Sequence, residues 1–144
     1  MNKIENSIFK RLIGVWETLG EIKSGQGRHK LVGTDSYELI LDGNYILHKA
    51  DVKMGNERSE TLEIIKLDIT LNESKMQYFN SKGEEGIMKC SINDKELKIE
   101  GTGLKFSGLF DEENTKINGK WYIKTNNEEW REFIDLQLVK MNVA

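Results

Sequence analysis

Apolar and polar residues alternate in short runs along most of this chain. Trp16, Thr18, Gly20 and Ile22 share one parity, opposite Glu17, Glu21 and Lys23. A period of two puts alternate side chains on opposite sides of an extended strand, so each run predicts a strand with one buried face. The pattern recurs with Leu31, Asp35, Tyr37, Leu39 and Leu41, then with Ile46, His48, Ala50, Val52 and Met54. Met76 and Tyr78 follow, then Met88, Cys90 and Ile92, then Leu97 and Ile99. Leu104, Phe106, Gly108 and Phe110 continue it, as do Ile117, Gly119, Trp121 and Ile123. Trp130, Ile134, Leu136 and Leu138 close the series. Between Thr61 and Ile69 either parity carries apolar residues, which leaves the inward face there undecided.

The chain has no proline, so its turns fall to Gly, Asn and Asp, which tolerate positive φ or hydrogen-bond their own backbone. Such residues sit between the runs at Asp42-Gly43-Asn44, Gly55-Asn56, Ser81-Lys82-Gly83, Asn93-Asp94 and Asn126-Asn127. Short strands with evenly spaced turns predict an all-β fold of about ten antiparallel strands in an up-and-down barrel, with a filled sandwich as the alternative. Only the first dozen residues carry a helical stripe, Ile4, Ile8, Phe9 and Leu12. A helix that short needs a surface to pack on, and closing an open end of the barrel supplies one. Residues 1–144 then form a single domain, with no linker, repeat or low-complexity tract.

Charge narrows the partners. A net charge of −3 gives no basic field to displace counterions from phosphate, so no nucleic-acid partner is expected. No apolar run approaches the roughly 20 residues of a membrane span, and the start of the chain lacks a signal-like core. With one cysteine, Cys90, there is no internal disulfide, and a cytoplasmic location is expected. Two histidines without close spacing or a cysteine partner give no metal site, and no Walker loop, dinucleotide fingerprint or nucleophile elbow implies a cofactor.

His48 is the most informative residue, since it falls on an otherwise apolar face between Ile46 and Ala50. A buried imidazole needs a partner, and Asp35 on the preceding strand is a candidate, with Glu63 or Glu132 able to join. Such a pair either sets barrel register, orients a ligand or serves proton transfer. The inner aromatics Trp16, Tyr37, Tyr78, Phe106, Trp121 and Trp130 either fill a core or line a pocket. The leading expectation is a small, mostly apolar ligand in the barrel interior, touching those aromatics together with Asp35 and His48. An enzyme using the His48/Asp35 pair is the alternative, as is a protein-interaction module, for which a homodimer is one form; no catalytic residue is assigned.

Gly14-Val15-Trp16, after a short helical lead-in and at the head of the first strand, resembles the G-x-W signature of the lipocalins and the wider calycin group. The order of SYELILDGNYILHK, YFNSKG, LKFSGLF and INGKWYIK resembles small bacterial lipocalin-like proteins of uncharacterised function over nearly the full length. The resemblance implies that Trp16 plugs one end of the barrel beneath a basic residue of the last strand. Arg131 is the candidate, although strict parity puts it opposite Trp130 and outside, so a bulge or shifted register is required. The helical segment is then expected to shut the other mouth. The chain departs from the haem-binding nitrobindin-like barrels, which use a late histidine, because none follows His48.

Overall fold

In the computed structural model, which describes residues 7–24, 27–66 and 72–141, the alternating runs pair into one closed antiparallel barrel. The strands are β1 (Gly14–Ser24), β2 (Gly27–Ile40), β3 (Tyr45–Met54), β4 (Glu57–Lys66) and β5 (Glu73–Asn80). They continue as β6 (Glu85–Ile92), β7 (Glu96–Gly101), β8 (Leu104–Phe110), β9 (Lys116–Lys124) and β10 (Trp130–Lys140). Each strand pairs with its sequence neighbour, and β1 also pairs with β10, so the sheet leaves no open edge. Consecutive strands pair antiparallel throughout. The up-and-down barrel expected from the turn spacing is the fold, and the sandwich alternative falls.

The barrel has a filled end and a hollow end. At the end where β1 begins, Phe9, Leu12, Trp16, Ile46, Ile92, Leu97 and Ile117 are each at most 2% exposed and form one apolar cluster. A smaller cluster of Ile22, Leu31 and Ile134 lies toward the opposite mouth, with Val52, Met54 and Phe133 half-buried against it. Parity predicted most of these positions; in β4, where parity left the inward face undecided, the structure turns Glu63 and Ile65 inward.

The helical lead-in is a 3-10 turn, Ile8–Leu12, capped by Ser7, whose Oγ accepts from the Phe9 amide at 3.1 Å. Ile4 lies outside the described residues. The turn does not close the far mouth. It packs at the same end as Trp16, whose indole Nε1 donates to the Leu12 carbonyl at 2.9 Å. Chain connectivity explains the correction: a segment one residue ahead of β1 stays where β1 starts. Arg11 pins it there, donating to Asn114 Oδ1 and to the carbonyls of Asn93 and Asp94, each at 2.9 Å.

A basic residue of the last strand does cover Trp16, but it is Lys140, with Nζ 4.8 Å from the ring centroid. Because β10 runs antiparallel to β1, its final residues lie beside Trp16, and Lys140 is the register partner. Arg131 is nine residues earlier in the strand, roughly 30 Å away at about 3.3 Å per residue.

Trp130 is the second correction. It stands outside the barrel, 40% exposed, with Lys105 Nζ 4.3 Å and Lys124 Nζ 5.8 Å from its indole. A bulge between Glu132 and Ile134 inserts Phe133 into β10 and inverts the parity of everything before it. Strict alternation from Ile134 backward therefore assigns Trp130 the wrong face. Glu132 is exposed as well, bound to Lys23 at 2.9 Å and Lys120 at 2.8 Å, and so does not join His48. Those two ammonium groups hold its carboxyl down at about 2.

Candidate functional site

The hollow end holds a cavity of about 580 Å³. Leu31, Ala50, Val52, Met54, Trp121 and Leu136 give it apolar walls, while Asp35, His48, Glu63 and Thr18 form a polar group deeper in the barrel. Thr61, Asn80, Glu84 and Thr102 add polar lining, and a volume of this size with apolar surface and converging polar groups fits a small-molecule pocket.

Register puts the polar group together. His48 on β3 lies directly opposite Tyr37 on β2 and Glu63 on β4. Asp35 pairs with Ala50, which places it on the diagonal from His48, within reach of a ring nitrogen. Nε2 of His48 is 2.6 Å from Asp35 Oδ1, and Nδ1 hydrogen-bonds Glu63 Oε1. Thr18 on β1 donates its hydroxyl to Asp35 Oδ2. Below, toward the filled end, the Tyr37 ring stacks on the imidazole with centroids 4.0 Å apart and planes at 8°. All five residues are under a tenth exposed.

This arrangement fixes the protonation of His48. Burial works against its charge, but the Glu63 charge and the hydrogen bonds the ring donates to both carboxylates outweigh that penalty and push its pKa up to about 10. A neutral imidazole would present a lone pair to one carboxylate, whereas the imidazolium donates to both. Burial, with the nearby Asp35 and Glu63 charges, also holds the Tyr37 hydroxyl well above its ordinary value. Cys90 is buried and its thiol is pushed up for the same reason, so it packs as a small apolar side chain.

The chemistry open to the group follows from its geometry. Both ring nitrogens of His48 are committed to carboxylates, so none is left to take a proton from a molecule in the cavity. Glu63 has an oxygen to spare: Oε2 has no hydrogen-bond partner among the described residues, although the side chain is 7% exposed and lines the cavity. Among the described residues no group of three or more His, Cys, Asp or Glu is arranged to hold a metal ion.

Of the residues expected to touch a ligand, Asp35, His48, Tyr78 and Trp121 line the cavity. Tyr37 supports His48 from beneath. Trp16 and Phe106 belong to the buried core, Phe106 with its ring tilted against Trp121 at 5.2 Å, and Trp130 is outside. Tyr78 lies across Gly86 on β6, where a Cβ would come within 2.7 Å of its ring; only glycine leaves room for that rotamer. Sequence reasoning missed Thr18 and Phe133 as lining residues. Thr18 shares the inward parity of Trp16 and was legible; Phe133 enters through the bulge and was not.

No protein-family model matches this chain, and neither does any curated protein. Solved structures do. The chain superposes on Rv2717c from M. tuberculosis with a TM-score of 0.73, covering 99% of both chains at 8% identity. It also matches the S-type phycobiliprotein lyase CPES from Guillardia theta with a TM-score of 0.56, over 100% of this chain and 99% of that one, at 12% identity. At such identities the likeness shows the fold alone, a closed antiparallel barrel. No helix among the described residues is long and apolar enough to cross a membrane.

Proposed function

We propose that this chain is a lipocalin-like protein that binds a small molecule inside the barrel. The observation that carries this reading is the cavity of about 580 Å³ with apolar walls and a buried Asp35–His48–Glu63 group. The walls supply affinity, since removing apolar surface from water is favourable by about 25 cal/mol per Å² before the costs of association. The polar group supplies orientation. Its members sit on three adjacent strands, β2, β3 and β4, with Tyr37 stacked on the imidazole, so little ordering is left for the moment of binding. A phycobiliprotein lyase among the barrels of this shape is compatible with the reading but sets no ligand.

The test is native mass spectrometry of the purified protein, together with thermal denaturation in the presence of a library of small apolar compounds. A bound molecule, or a ligand that raises the midpoint, is the expected outcome; at a hundredfold excess over Kd the gain is about 2.7 kcal/mol. Val52→Trp, which fills the cavity from its wall, should abolish both signals. The reading fails if neither signal is seen, or if Val52→Trp leaves them unchanged.

A further inference from the structure

The charged groups of the cavity lining leave a net negative charge. Its acidic and basic residues are Asp35, Glu63, Glu84 and His48, and none of the described lining residues is Lys or Arg. His48 does not offset this toward a ligand, because both of its N–H groups are already donated to carboxylates. Two carboxylates and one imidazolium carry a formal charge of −1, buried beneath apolar walls. Arg131, although it pairs with inward-facing Ile123, is exposed at the mouth and is not part of the lining.

A buried charge without a counter-charge is costly, and low-dielectric walls strengthen its attraction for a cation. The Glu63 side chain is more than nine-tenths buried, and its Oε2 has no hydrogen-bond partner among the described residues. Trp121 and Tyr78, both in the lining, present aromatic rings of the kind that attract ammonium groups. The volume is far larger than a bare ion needs, and Leu31, Val52, Met54, Trp121 and Leu136 give it a broad apolar surface. A metal ion would leave that surface unused.

We propose that the ligand of this cavity is an organic cation: a protonated amine on an apolar body, with its head against Glu63 Oε2 and its body along Leu31, Val52, Met54 and Trp121. The inference rests on the binding reading above and adds the chemical class. It predicts that donors outrank acceptors as head groups. Carboxylates and phosphates of the same shape are rejected by the charge already in the barrel.

The experiment compares three probes with one body and different heads: 4-phenylbutylamine, 4-phenylbutanol and 4-phenylbutanoate, titrated calorimetrically into the full chain at pH 7. The amine should bind at least about tenfold more tightly than the alcohol, and the carboxylate more weakly than either. Glu63→Gln, with folding checked by circular dichroism, should cost the amine about tenfold and leave the alcohol nearly unchanged. Thr102→Lys adds a cation to the lining at the mouth, away from the buried group, and should weaken the amine while strengthening the carboxylate. This second variant keeps the test alive if Glu63→Gln fails to fold. Equal affinities, or the reverse order, overturn the cation preference while leaving a binding cavity in place. If none of the three binds, the cation preference is overturned, and the binding reading is decided separately by the native mass spectrometry and library screen above.

Discussion

The two ends of this barrel are built from the same ten strands and differ in what they put inside. At the filled end the inward positions are Trp16, Ile46, Ile92, Leu97 and Ile117, sealed by Phe9 and Leu12 from the lead-in turn. A few residues further along the same strands, the inward positions are Thr18, Asp35, His48 and Glu63, and above them the space opens. The filled end gains apolar burial and close packing. The hollow end gives up packing, and it places charges in the interior, where each needs a partner. Stability and recognition are thus separated along the barrel axis, with Tyr37 at the boundary, one face on the core and the other on the imidazole.

The strongest test of that division is Trp16→Ala. Removing a fully buried indole from a packed end leaves a void and an unpaired Leu12 carbonyl, and should cost about 3–5 kcal/mol. Urea unfolding would show it as a lower midpoint with an unchanged slope. Ligand affinity, measured where the variant is still folded, should shift by less than about threefold. A large loss of affinity without unfolding would show that the ends are coupled.

The hollow end has its own signature, in pH. The His48 pKa is raised in the fold from 6.5 to about 10, so the folded state holds that proton more tightly than the unfolded chain. The stabilisation is fully present below about pH 6.5 and is lost as pH rises through about 10. Asp35, Glu63 and Tyr37 are the titratable groups in contact with the ring. Urea midpoints across this range should fall with rising pH in the native chain and fall less in His48→Gln. Equal slopes in the two would mean that the imidazole is not held as a cation.

How far these features could be read beforehand depends on how local their causes are. Strand parity and turn chemistry act over a few residues, so the inward faces of β1 to β3 and β5 to β9, and the meander itself, were legible. Glu63 was half legible. The two-residue turn at Gly55-Asn56 sets the register of β3 against β4, and counting back along both strands puts Glu63 opposite His48. The Asp35–His48 pair was suggested by parity, but its distance needed the diagonal offset across β2 and β3. The cover of Trp16 was harder, because Lys140 reaches it only through closure of β1 on β10, the most distant pairing in the chain. The bulge at Phe133 has no proline or glycine to announce it, and its consequence, Trp130 on the outer face, was misread for that reason.

That misreading gives the mildest and most diagnostic substitution. Trp130 and Trp16 are both tryptophans with a lysine over the ring, yet one is 40% exposed and the other is fully buried. At an exposed site a cation–π contact is worth about 0.5–1 kcal/mol, so Trp130→Ala should lower stability by no more than about 1 kcal/mol. Because Trp130 is no part of the cavity wall, probe affinity should not change. Fluorescence separates the indoles directly: acrylamide should quench Trp130 most readily, and the accessible fraction should drop in Trp130→Ala while the emission of Trp16 stays protected. An accessible fraction that survives the substitution, or a loss of ligand binding on making it, would place this indole inside the barrel and remove the bulge that turns β10 outward.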